Sequence, residues 1–129
     1  MLLTKILSVT SAFFLLGSVW ADSNDKPQAI ATFRKVLQMD PDHAEALNAL
    51  GYTYAEQGIY LDDAIRMIRR AIAIDPSNGA YEDSLGWAFY KKGSYAEALT
   101  ALQKAATQIQ DELLDQHLAI VQKKIKDIH

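Results

Sequence analysis

Side chains able to do chemistry are few and scattered along these 129 residues. The three histidines, His43, His117 and His129, stand far apart, and none has a second histidine or a carboxylate cluster at metal-ligand spacing. They read as solvent-exposed or helix-capping residues. Ser84 and Ser94 sit in no Gly-x-Ser-x-Gly elbow, so the context of an activated serine is missing. Asp62-Asp63 and Glu82-Asp83 are adjacent carboxylates at helix starts, where the positive end of the helix dipole explains them better than acid-base catalysis does. There is no Gly-rich phosphate loop. The absence of cysteine removes disulfides, thiolate metal sites and thiol nucleophiles together. The expectation is a non-enzyme with no catalytic residue, no cofactor and no metal.

Composition narrows the partners. Thirteen Lys and Arg against 16 Asp and Glu give a net charge of -3, so no basic excess exists to neutralise a phosphate backbone, and nucleic acid is not expected. Half the residues are hydrophobic, enough for one core at this length. What remains is a surface for a protein or peptide partner, with no small-molecule substrate.

The elements that must present this surface repeat along the chain. Asn48-Ala49-Leu50-Gly51-Tyr52-Thr53-Tyr54 is echoed by Asp83-Ser84-Leu85-Gly86-Trp87-Ala88-Phe89, the two Leu-Gly pairs standing 35 residues apart. Each is followed by a Gly, a Tyr and an alanine-rich amphipathic stretch: Asp62 to Ala71 ending at Asp75-Pro76 in the first copy, Tyr95 to Ala105 in the second. Both copies read helix, turn, helix. Leu50, Tyr54, Ile68, Leu85, Phe89 and Leu102 recur at helical spacing as a buried stripe. A Gly facing an Ala removes bulk where two helices cross, so Gly51 with Ala64 and Gly86 with Ala98 are expected contacts. Ser94 with Glu97 and Asp42 with Glu45 have the form of capping boxes.

This pattern resembles the tetratricopeptide repeat, whose unit is about 34 residues. The signature falls on Leu47, Leu50, Gly51, Tyr54, Gly58, Ala64, Ile68, Ala71 and Pro76, with one residue inserted in the Gly58 to Leu61 turn. It falls again on Leu85, Gly86, Phe89, Gly93, Tyr95, Ala98, Leu102 and Ala105. The second copy departs from it at Glu82, in place of an apolar residue, and at Gln110, in place of the closing Pro, which suggests a looser exit. The resemblance implies an all-α fold: a short right-handed α-solenoid of antiparallel helix-turn-helix repeats spanning 44–78 and 79–112. A capping helix over 111–128 would turn Leu113, Leu114, Leu118, Val121 and Ile125 inward. The run from Asn78 to Trp87 looks bacterial in style.

Carrying over the family's groove positions implicates Asn48, Tyr52, Ala55 and Glu56 from the first copy and Asp83, Trp87, Tyr90 and Lys91 from the second. Gln116, Ile120 and Lys123 would continue the groove from the cap helix. Tyr52, Trp87 and Tyr90 are the expected anchors, although Trp87 and Tyr90 also have a plain reading as packing residues. Clamping of a terminal carboxylate, known in some relatives, is not expected, because Asp83 would repel an anion. Arg66, Arg69 and Arg70 read as a solvated outer face.

The amino terminus carries two readings. Lys5 precedes sixteen uncharged residues, Ile6 to Ala21, with small residues before Asp22, the form of a secretory signal peptide over 1–21. Its uncharged core is short for a transmembrane helix. Counting one period back from Gly51 lands on Leu16-Gly17, so the same segment is in register as the first helix of another repeat, with 22–43 supplying the second helix. Export, to the periplasm or beyond, is the favoured reading and a cytoplasmic protein the alternative. The functional expectation is a scaffold or adaptor that holds a partner's peptide or helix in the concave groove. Its alternative is the terminal part of a longer array, or a factor self-associating through its amino-terminal helical face.

Overall fold

The computed structural model describes residues 2–129, and among them every regular element is an α-helix. There are seven: α1 (Leu2–Asp22), α2 (Lys26–Met39), α3 (Ala44–Gln57), α4 (Leu61–Ile74), α5 (Gly79–Lys92), α6 (Tyr95–Ala106) and α7 (Glu112–Ile128). The helices pair antiparallel, α1 with α2, α3 with α4 and α5 with α6, and the pairs stack so that α3 also touches α5 and α5 touches α7. This is an all-α helical-repeat solenoid.

The stripe expected from periodicity is the core. Leu50, Tyr54, Ile68, Leu85, Phe89 and Leu102 are all buried, with Ala29, Ala64 and Ala98 at equivalent places in successive second helices. Burying side chains of this size stabilises the fold by about 1.5–3 kcal/mol each. The glycine contacts differ from expectation in one respect. The atoms nearest a Cβ on Gly51 or Gly86 would be side-chain carbons of Ile68 (2.7 Å) and Leu102 (2.6 Å), while Ala64 and Ala98 contribute their carbonyl oxygens. Gly17 stands in the same relation to Phe33, at 2.6 Å.

Helix boundaries follow local chemistry. Gly58 and Gly93 end α3 and α5 in the left-handed region, at φ 69° and 90°, where a Cβ would be strained. Tyr60, in the turn with the extra residue, is also left-handed, with its ring edge-on to Tyr54. Two expected caps are corrected. The α3 cap is His43, whose Nδ1 accepts from the Ala46 N–H at 3.1 Å, because the Asp42 carboxylate instead pairs with Arg70 at 3.0 Å. Ser94 precedes α6 but makes no side-chain capping bond. Where Gln110 replaces proline, the chain leaves α6 through a turn tied down by Gln108 donating to the Pro76 carbonyl.

α1 lies against α2 through Gly17 and Phe14, yet Leu2, Leu3, Ile6, Leu7, Leu15 and Val19 of the same helix are exposed. By length and composition the whole helix is apolar enough to cross a membrane, a test that an amino-terminal signal sequence also meets.

Candidate functional site

The first helices α1, α3, α5 and α7 lie side by side, and the repeat period brings equivalent residues into rows across them. One row runs Phe14, Asn48, Asp83, His117, and the next runs Ser18, Tyr52, Trp87, Val121, with successive members 34 or 35 positions apart.

At the carboxyl-terminal end the rows make a packed cluster. His117 is buried, and its Nδ1 lies 2.7 Å from Asp83 Oδ1, which is also buried. The His117 ring stacks on Trp87 with centroids 4.1 Å apart, Trp87 stacks on Tyr90 at 4.8 Å, and the Lys91 ammonium lies 5.6 Å from the Trp87 centroid. His117 is thus neither exposed nor a cap, as sequence reading had it. Asp83 and its neighbour Glu82 are buried and paired, Glu82 with Lys104 at 3.0 Å, so a favourable helix end does not suffice to explain them. Among the described residues no group of three or more His, Asp or Glu side chains is placed to hold a metal.

The cap helix turns Leu114, Leu118, Val121 and Ile125 inward, as expected. His117 and Val121 turn toward α5, whereas Gln116, Ile120 and Lys123 are exposed, Lys123 pairing with Asp127 on its own helix. Leu113, expected inward, is also exposed, while Leu114 is buried. The structure therefore gathers Asp83, Trp87, Tyr90 and Lys91 around His117 and leaves the three cap-helix residues on the surface.

Toward the amino terminus the groove opens. Asn48, Ala49 and Glu45 of α3 line a cavity of about 310 Å³ with Phe14 and Tyr81. Ala49, Tyr52 and Glu56 line a neighbouring one of about 300 Å³ with Ser18 and Lys26. Ala55 is buried in the core beneath. Lys26 donates to Glu56 at 2.8 Å. Burial first, then the charges of Glu56 and Asp83, push the Tyr52 phenol up to about 12. Tyr81 is raised likewise by burial, then by Glu45 and Asp75.

Deprotonation of Tyr52 weakens the fold. Its folded pKa exceeds the ordinary tyrosine value of 10, so its contribution to stability is intact below pH 10 and is lost as pH rises toward about 12. Denaturant unfolding at a series of alkaline pH values should show a smaller loss across that window in Tyr52→Phe than in the wild type. An equal loss would place the alkaline sensitivity elsewhere.

A model of the family described as tetratricopeptide repeat matches residues 14–79 and 61–112. Comparison with curated proteins yields no match. Among solved structures, the chain is similar to the Sgt2 TPR domain from Aspergillus fumigatus, with a TM-score of 0.79 and 18% identity over 92% of this chain and 80% of that one. It is similar to part of the Thermobaculum terrenum O-GlcNAc transferase mutant K341M, with a TM-score of 0.85 and 26% identity over 90% of this chain but 22% of that one. The first TPR of Spaghetti (RPAP3), bound to the HSP90 peptide SRMEEVD, gives a TM-score of 0.79 and 14% identity over 91% of this chain and 93% of that one. With two overlapping matches running through three helix pairs, the chain belongs to the tetratricopeptide-repeat family.

Proposed function

We propose that this protein is a non-enzymatic scaffold that holds an extended or helical segment of a partner protein along the face formed by α1, α3 and α5. The observation that carries this reading is the pair of adjoining cavities sharing Ala49, which give α3 a trough with aromatic and polar walls. A fold relative holds a short peptide, and repeat arrays use their concave faces in this way. Tyr52 is the central anchor. Trp87 is held between His117 and Tyr90, so its weight falls on packing the cap helix.

Panning a displayed peptide library on the full chain tests the proposal. Selected peptides should bind the wild type and lose about tenfold or more in affinity to Asn48→Ala plus Tyr52→Ala, as central aromatic anchors do, with helicity unchanged. Selected peptides that bind both proteins equally would move the site off this face.

The Gly17–Phe33 contact supports α1 as the outer wall of the trough. The exposed apolar residues of α1 favour a second reading, an export signal removed after Ala21. Mass spectrometry of the mature protein separates them: an amino terminus at Asp22 removes α1 from the working groove, and an amino terminus near Met1 removes export by cleavage.

A further inference from the structure

The trough has a sign. Asp22, Glu45, Glu56 and Asp75 border its two cavities, and the cation among the lining residues is Lys26, already paired with Glu56. From Val36 to Ile65, the stretch that contains all of α3, there is no Lys or Arg, whereas Asp40, Asp42, Glu45, Glu56, Asp62 and Asp63 fall within it. All four arginines lie on second helices instead: Arg34 on α2, and Arg66, Arg69 and Arg70 on α4. The arginines thus stand on α2 and α4, while the charged residues of α3 itself are Glu45 and Glu56. Lys91 lies beyond the cavities, over Trp87.

A second observation concerns hydrogen bonding. Asn48 Oδ1, on the wall between Glu45 and Tyr52, is buried with no partner among the described residues. Buried acceptors are almost always satisfied, so this one points to a ligand that donates. The carboxylates likewise accept only. Between them lie Phe14, Ala49 and Tyr52, surfaces on which the methylene stem of a long cationic side chain packs and whose rings attract its charged head. Burial chiefly raises the phenols of Tyr52 and Tyr81, and the trough carboxylates Glu56, on the first, and Glu45 and Asp75, on the second, add to it.

We infer that the occupant of the trough is a lysine- or arginine-bearing segment of a partner protein, its cationic heads meeting Glu45, Glu56 and Asp75 and a donor N–H meeting Asn48 Oδ1. This rests on the concave face being the binding face, and it gives that face a selectivity opposite to one for acidic chain ends.

Three labelled synthetic peptides of equal length test it, alternating alanine with lysine, with glutamine or with glutamate, titrated onto the full chain by fluorescence anisotropy at about 0.15 M salt. The lysine peptide should bind at least about tenfold tighter than the other two. Glu45→Gln plus Glu56→Gln should weaken it about tenfold, and the exposed single change Glu45→Gln by a smaller factor, while Glu112→Gln plus Asp127→Asn on α7 should change it less than about twofold. Equal losses in the two double variants would mean attraction to net charge and overturn the inference, as would no binding of the lysine peptide. If the glutamine or glutamate peptide binds best and Tyr52→Ala abolishes that binding, the groove stands and its cationic selectivity falls. If the lysine peptide binds Tyr52→Ala and wild type alike, the groove assignment falls with it.

Discussion

Gly86→Ala lowers stability by about 1–3 kcal/mol, although alanine is by about 1 kcal/mol the better helix former. The added methyl would lie 2.6 Å from Leu102 Cγ and Cδ2 and 3.1 Å from the Ala98 carbonyl oxygen. Leu102 is fully buried and has no free volume into which to retreat, and the carbonyl belongs to the backbone of α6, so α5 and α6 must move apart. Thermal or urea unfolding monitored by helicity measures the loss. Leu102→Ala alone should cost about 2–5 kcal/mol by leaving a cavity. The double variant, in which the new methyl occupies part of that cavity, should be less destabilised than the sum by about 1 kcal/mol. Strict additivity would show that the two residues do not share the space the geometry assigns them.

The same contact explains why so much of the fold was legible in the sequence. A Gly in a first helix, a bulky apolar residue at a fixed distance in the second and an Ala before it are demanded together by one crossing, so each copy records the geometry three times over. Gly51 with Ile68 and Gly86 with Leu102 repeat it, and Gly17 with Phe33 extends it into α1. Less was legible where partners come from distant places. Asp42 has the local look of a cap, but Arg70, 28 residues on, draws its carboxylate away and leaves His43 to cap α3. The cap helix was read from its own apolar pattern, in which Leu113 and Leu114 are equivalent. Packing against α5 and α6 buries Leu114, leaves Leu113 exposed and adds His117, which no apolar pattern marks, to the interface. A signal for this was available: Asn48, Asp83 and His117 share one repeat position, and the period continues past the last full copy.

His117→Leu should cost about 2–4 kcal/mol, between the loss of a charge-assisted hydrogen bond and the breaking of a buried pair. The side chains of His117 and Asp83 are 4% and 10% exposed, so the variant leaves a carboxylate with little access to water and no partner. It also removes the ring on which Trp87 stacks. Because among the described residues α7 touches only α5 and α6, the damage should stay local, as expected of a solenoid whose units contact only their neighbours. Hydrogen exchange should therefore show α7 amides losing protection while those of α3 keep theirs, and the fluorescence of Trp87 should change with the variant. Replacing both partners, Asp83→Leu with His117→Leu, removes the stranded charge and should recover at least about half of the lost stability. A double variant less stable than His117→Leu would mean that Asp83 is held chiefly by groups other than the imidazole. Uniform loss of protection through α3 would mean that the solenoid unfolds as one unit, with the histidine pair bearing on the whole of it rather than fastening its last helix.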